Sequence, residues 1–340
     1  MKIDASLMYD PLRNGVMAAE LETLGFDGVY SFEGKHDAFM SLAAAATSTQ
    51  RMDLMTSVAI AFARNPMSIA YLANDLQLMS AGRFILGLGT QVKAHIERRY
   101  SMPWSKPAAR MRETVQAINA IWDSWQSGAR PNFSGEFYTH TLNVPAFTPE
   151  PNRHGRPPIF IAGVGPLMTE VVGEVADGFF VHPFHTQESF AALSLPALQR
   201  GLAKSGRSRA ALTVSAQLIT ATGEDEASLV QALSAARNQI AFYASTPAYA
   251  PVLEVHGWQD LQPRLQSLSR EGKWQDMGML ISDEMLHTFA VSGTVGEVAQ
   301  QVVRRCSGQM DRVSPVIYQP NTRLLGALVA AIKKAGASAS

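Results

Sequence analysis

The chain has 340 residues, 46% hydrophobic and 17% charged, with 29 basic against 29 acidic side chains and no formal net charge. An ample core is expected, and the basic footprint on which nucleic-acid and anionic-membrane binding depend is absent. A single cysteine, Cys306, excludes an internal disulfide, and no apolar run reaches membrane-spanning length, so the expected setting is cytoplasmic and the expected partner a small molecule.

Lys2 to Met8 is a candidate first strand, followed by a helical stripe of Val16, Met17, Leu21 and Leu24 that stops at Gly25. Gly28 to Phe32 reads as the second strand, Glu33-Gly34-Lys35-His36-Asp37 as a polar loop at its carboxyl end, and Phe39 to Ser48 as an alanine-rich helix. Asp53 to Phe62 alternates bulky residues (Val58, Ile60, Phe62) with small ones (Ala59, Ala61). Two differently packed faces imply burial on both sides, as in a parallel sheet covered by helices. Asn65-Pro66 is an N-cap followed by proline at the first helical position, and Ile69, Leu72, Leu76 and Met79 form one apolar stripe. Gly82 is the expected left-handed stop. Phe84 to Leu88 is a short apolar strand, and glycine at its carboxyl end permits close approach of backbone or ligand.

Met111 to Trp125 is strongly amphipathic, and Arg130 to Pro151 reads as a hairpin insertion (130–151). Pro157 to Ala162 is the fifth strand, after which Gly163-Val164-Gly165-Pro166 opens a helix; Asp177 to Val181 is the sixth, ending at His182-Pro183, and Leu212 to Ala221 the seventh. The helical region from Asp225 to Asp276, interrupted at Pro247, Pro251 and Pro263, exceeds one crossover and is expected to form a cap within 225–290. Arg312 to Gln319 is the eighth strand, Leu324 to Lys334 the last helix, and 335–340 a frayed tail. Eight strand-helix pairs predict an α/β protein, a (β/α)8 TIM barrel with insertions, as one domain over 1–334.

Active sites of such barrels form at the carboxyl ends of the strands. The candidates are therefore Glu33 and His36, Ser57 to Phe62, Gly89 to Lys93, Gly163 to Gly165, and His182. His36 can exchange a proton near neutrality or polarise a carbonyl. His182 ends an apolar strand and is expected to face the cavity. Gly163-Val164-Gly165 before a helix is either a phosphate seat made of free amides or a plain tight turn. No histidines and carboxylates have metal-ligand spacing, so no metal site is expected.

Thr56-Ser57-Val58, then Arg64-Asn65-Pro66, Gly82-Arg83-Phe84-Ile85-Leu86-Gly87-Leu88-Gly89, Phe133-Ser134-Gly135-Glu136-Phe137-Tyr138, Pro157-Pro158-Ile159 and Ala176-Asp177-Gly178 follow one another along nearly the entire chain. In this order and spacing they resemble the bacterial luciferase-like superfamily, specifically its coenzyme F420-dependent oxidoreductases. The resemblance implies a luciferase-like barrel that transfers a hydride between deazaflavin coenzyme F420 and an alcohol, carbonyl or enone, with homo-oligomerisation as a family trait. An FMN-dependent monooxygenase and a non-catalytic flavin-binding protein are the other outcomes it leaves open.

By position, the resemblance implies that Ser57 and Val58 form a bulge, often with a cis peptide, behind the cofactor ring. It implies that Gly163, Val164 and Gly165 bind the cofactor's phosphate, and that Thr90, after Gly89, lies at the ring edge. His36 matches a histidine near the hydride-carrying carbon, and Glu33 an acidic residue before it. Sugar-phosphate dehydrogenases of the family carry a glutamate where this chain has Val92, so that activity is not implied.

Overall fold

A computed structural model describes residues 1–7, 10–318 and 320–338. Eight parallel strands close on themselves: β1 (Lys2–Ser6), β2 (Gly28–Ser31), β3 (Asp53–Thr56), β4 (Phe84–Gly89), β5 (Ile159–Gly163), β6 (Gly178–Val181), β7 (Thr213–Ala221) and β8 (Arg312–Val316). Each pairs with its neighbour in chain order, and β8 pairs with both β7 and β1, which completes the barrel. Strands 2, 4 and 6 are buried at every position, as two covered faces require. The expected strand ends at Met8 and Gln319 lie outside the described residues.

Helices between the strands cover the barrel. Asn65 caps the helix Pro66–Met79 by accepting from Ser68 N–H at 2.8 Å, with Pro66 in its first turn as expected. The predicted helix from Met111 to Trp125 spans Pro107–Ser127, and Ile118, Ile121 and Trp122 on its apolar face are buried. The insertion after it contains an antiparallel pair, Phe133–Ser134 with Thr139–His140. Glu113 holds this hairpin by accepting from the N–H groups of Glu136, Phe137 and Tyr138.

The continuous strand expected from Asp53 to Phe62 is a correction. β3 ends at Thr56, Ser57-Val58 is a cis peptide, Ala59–Ile60 resumes as a two-residue strand, and Ala61–Ala63 turns as a 3-10 helix. Met55 pairs with Ile85 and Ala59 with Leu88, so four steps on one side match three on the other, the signature of a bulge. The cause is local to Thr56, whose hydroxyl accepts from Gly87 N–H and donates to Gly87 O, each at 2.8 Å. A side chain thus takes the ladder positions that backbone would fill.

Between β7 and β8 the cap comprises Glu226–Ala244, Ala250–Glu254, Leu261–Arg270, Trp274–Met279 and Asp283–Phe289, and Ala290–Ser292 then pairs with the end of β7. It has its own core, including Ile240, Leu253, Leu265 and Phe289. Pro263 does not interrupt it: it lies in the first turn of Leu261–Arg270, where its missing N–H has no intrahelical acceptor. The last helix, Thr322–Ser338, runs past the predicted end at Lys334, because Ala331 and Ala335 continue to pack on the core. Among the described residues no helix is long and apolar enough to cross a membrane.

Candidate active site

A cavity of about 910 Å³ opens at the carboxyl ends of the strands, between the barrel and the cap. Of the residues singled out in the chain, Glu33, Ser57, Val58, Ile60, Gln91 and His182 line it. The bulge forms one wall, and it is braced from behind. Glu33 N–H donates to Val58 O at 3.2 Å, and Glu33 Oε2 accepts from Ile60 N–H at 2.9 Å and from Arg64 Nη1 at 2.6 Å. Tyr100 Oη donates to Glu33 Oε1 at 3.2 Å. Both carboxylate oxygens are therefore engaged, and Glu33 stands in this structure as the anchor of the bulge. Arg64 spans from Glu33 to Asp37 Oδ2 at 2.6 Å, and Asp37 Oδ1 caps the helix Ala38–Ser48 by accepting from Phe39 and Met40 N–H.

The same bracing decides where His36 goes. Glu33 and Asp37 pin the two ends of the loop, Arg99 donates to Gly34 O at 3.2 Å, and His36 between them is exposed and off the cavity lining. His36 was expected near the reacting centre; in this structure it is exposed and does not line the cavity. Gly89 is likewise not a lining residue: a Cβ there would lie 2.5 Å from Val58 Cγ2, so this glycine admits the bulge onto β4. Thr90 is half-buried and donates to Gln91 O, while Gln91, held at φ 60°, is the residue of the Gly89–Lys93 stretch that reaches the cavity.

Gly163, Val164 and Gly165 lie outside the lining, at the amino end of the helix Pro166–Val175. No side chain caps that helix, and a Cβ on Gly165 would meet nothing within 4 Å. Pro166 has no N–H and Thr169 N–H donates to Gly165 O at 3.1 Å, so the first turn offers an anion the amides of Leu167 and Met168.

His182, just past β6, is the best-defined polar group of the cavity. Phe184 N–H donates to its Nδ1 at 3.1 Å, so the neutral ring carries its proton on Nε2 and donates it to Tyr249 Oη at 3.2 Å. Burial, with the neighbouring His185, pushes His182 down to about 3 and keeps it neutral. His185 Nδ1 faces His182 O at 2.8 Å and must be the donor there; burial pushes this ring down to about 4. Tyr243 meets His182 edge-on at 4.8 Å, and burial first, then Tyr249, pushes its hydroxyl up to about 12.

Sequence reasoning missed the residues that the cap and β7 contribute. Gln217 is the one amide in a strand otherwise built of aliphatic and small hydroxyl residues, a legible signal, and its Nε2 donates to Ser57 Oγ at 3.4 Å across the barrel mouth. Gln239, Phe242 and Tyr243 line the cavity from the helix Glu226–Ala244, where nothing in the local pattern separates them from surface residues. Among the described residues no group of three or more histidine, cysteine, aspartate or glutamate side chains is arranged to hold a metal ion.

The family model described as luciferase-like monooxygenase matches residues 6–311. An uncharacterized protein of Mycobacterium tuberculosis is 51% identical over 327 residues, 96% of each chain. The 5,10-methylenetetrahydromethanopterin reductase of Archaeoglobus fulgidus is 27% identical over 302 residues, 87% of this chain and 86% of that one. Among solved structures, the coenzyme F420 dependent tetrahydromethanopterin reductase from Methanopyrus kandleri superposes with a TM-score of 0.79 at 19% identity, over 96% of each chain, a likeness of fold.

Proposed function

The chain belongs to the luciferase-like monooxygenase family, and we propose that it is an oxidoreductase that moves a hydride between deazaflavin coenzyme F420 and a small carbonyl, alcohol or enone substrate. The observation that carries this reading is the braced bulge: the Val58 side chain, with the Ser57 hydroxyl beside it, presents a fixed wall to a cavity large enough for a ring and a substrate together. The amides of Leu167 and Met168, past Gly165 and Pro166, would supply a seat for the cofactor's phosphate. The names of relatives that are reductases, one of them coenzyme F420 dependent, agree with it.

The deazaflavin ring, when bound, supplies two-electron hydride chemistry without ready reaction with oxygen. The protein's part is orientation and proton management. Val58, pressed against β4 through Gly89, would support a ring bound in the cavity from the barrel side. Glu33 and Arg64 keep that wall in place. Tyr243 lines the cavity and remains protonated at all ordinary pH, so it can donate a hydrogen bond to a carbonyl oxygen as negative charge develops. Neutral His182 holds Tyr249 beside it.

The test is titration of the purified protein with coenzyme F420 and, separately, with FMN, followed by absorbance. Saturable F420 binding that weakens at least tenfold in Val58→Ser is the expected result. Stoichiometric FMN retained through purification, with oxygen-dependent turnover, overturns the assignment.

A further inference from the structure

The lining of the cavity has an unusual charge pattern. Among the described residues it contains no lysine and no arginine, and its one carboxylate, Glu33, is already paired with Arg64 at 2.6 Å. Its other polar groups are neutral: the amides of Gln91, Gln217 and Gln239, the hydroxyls of Ser6, Ser57 and the tyrosines, and His182 with both ring nitrogens engaged. A charged substrate group buried here would lose its hydration without gaining a counter-charge, which costs several kcal/mol in general.

The rim is the opposite of polar. Phe242 on the cap and Phe32 past the end of β2 both line the cavity, yet remain 48% and 40% exposed. Trp274, 52% exposed, packs against Phe242 with ring centroids 6.3 Å apart. Large aromatic rings that line a cavity or pack against its lining, yet stay half in solvent, form a surface that an apolar ligand would cover.

We propose that the substrate is an uncharged carbonyl compound (or its alcohol) with an extended apolar body, its polar end among the amides and hydroxyls and its body gripped between Phe32 and the Phe242–Trp274 pair. Phe242 and Trp274 are then specificity-determining residues. This rests on the proposed reaction for where the carbonyl lies, and not on which cofactor serves it.

The test uses calorimetric titration of the protein, without cofactor, with 2-alkanones from four to ten carbons, and with the keto acids bearing a terminal carboxylate in place of the last methyl. Affinity should rise roughly three- to fourfold per methylene, the factor expected for burial of CH₂ groups. Terminal carboxylates should bind at least tenfold more weakly than their neutral counterparts, and Phe242→Lys should recover most of that loss. In Phe242→Ala combined with Trp274→Ala, the gain per methylene should fall below about twofold for the longer ketones. Both side chains are half-exposed, so the double variant should melt within a few degrees of the parent. Affinity independent of chain length, a chain-length gain that survives the double substitution, or keto acids binding as tightly as ketones each overturn the proposal. Cofactor titration is read separately. Absence of F420 binding with an intact ketone series would sink the cofactor assignment and leave the substrate class standing.

Discussion

Gly87→Ala probes the contact that creates the bulge. The new Cβ would lie 1.8 Å from Thr56 O and 2.5 Å from the Phe180 ring. A carbon and a carbonyl oxygen need more than ~3 Å, so β3 and β4 must separate by more than ~1 Å. Nothing flexible can absorb that, because Thr56 is tied to Gly87 through both partners of its hydroxyl. Overpacking of this kind costs about 1–3 kcal/mol, and the two tethers contribute about 1 kcal/mol each if they break. A total of about 3–5 kcal/mol, set against an unfolding entropy of ~0.7 kcal/mol/K for a chain of this length, lowers the melting temperature by roughly 4–7 °C. The damage should also reach function, since Thr56 immediately precedes the wall formed by Ser57 and Val58, and Phe180 lines the cavity. Calorimetry and cofactor titration of the same preparation read both effects. Gly296→Ala is the control: a Cβ there meets nothing within 4 Å, inside the helix Val295–Cys306, and should be neutral or stabilise by up to about 1 kcal/mol. If Gly87→Ala melts within a degree of the parent and binds cofactor equally well, the account of the bulge is wrong.

Glu33→Gln should retain an acceptor for Ile60 N–H but lose the charge opposite Arg64, costing about 1–3 kcal/mol in denaturant unfolding and weakening ligand binding at the cavity; unchanged binding would separate the brace from the site. His36→Ala, an exposed change off the cavity lining, should leave cofactor affinity within about twofold; a hundredfold loss would restore the role expected for this histidine from the chain. His182 and His185 have folded pKa values of about 3 and about 4 against 6.5 as the ordinary value. Between those limits the unfolded chain binds more protons than the folded one. Stability should therefore be whole above pH 6.5 and fall as pH drops toward 4, by up to roughly 2 kcal/mol per histidine at pH 5. The check is urea unfolding at pH 7.5 and 5.0, where an unaltered slope in the His182→Gln, His185→Gln double variant counts against this origin.

The alternation of strand and helix could be read from the chain because periodicity is a local property. Each apolar stripe, cap and glycine stop reports its own element, as Asn65-Pro66 and Gly25 do, and eight repeats of the pattern leave a closed parallel barrel as the arrangement that buries them. Motif order along Thr56 to Gly178 identifies the family for the same reason, and Glu33, Ser57, Val58 and His182, expected at strand ends because those follow from strand positions, line the cavity.

What escaped the chain was set by contacts between distant segments. The apolar alternation continues unbroken through Val58 to Phe62, and only the meeting of Thr56 with Gly87, 31 residues away, splits that strand. His36 is exposed and off the cavity lining, between Glu33 and Asp37, which are both claimed by Arg64, a partner 27 to 31 residues off. Gly89, chosen as a place of close approach, is one, but Val58 is what approaches it. The cap side chains that complete the cavity carry no periodic mark, since a helix facing a ligand reads locally like a helix facing water. Local chemistry determined the elements and their order; only the tertiary structure decided which side chains turn inward, because that choice belongs to pairs of residues that meet after the barrel has closed.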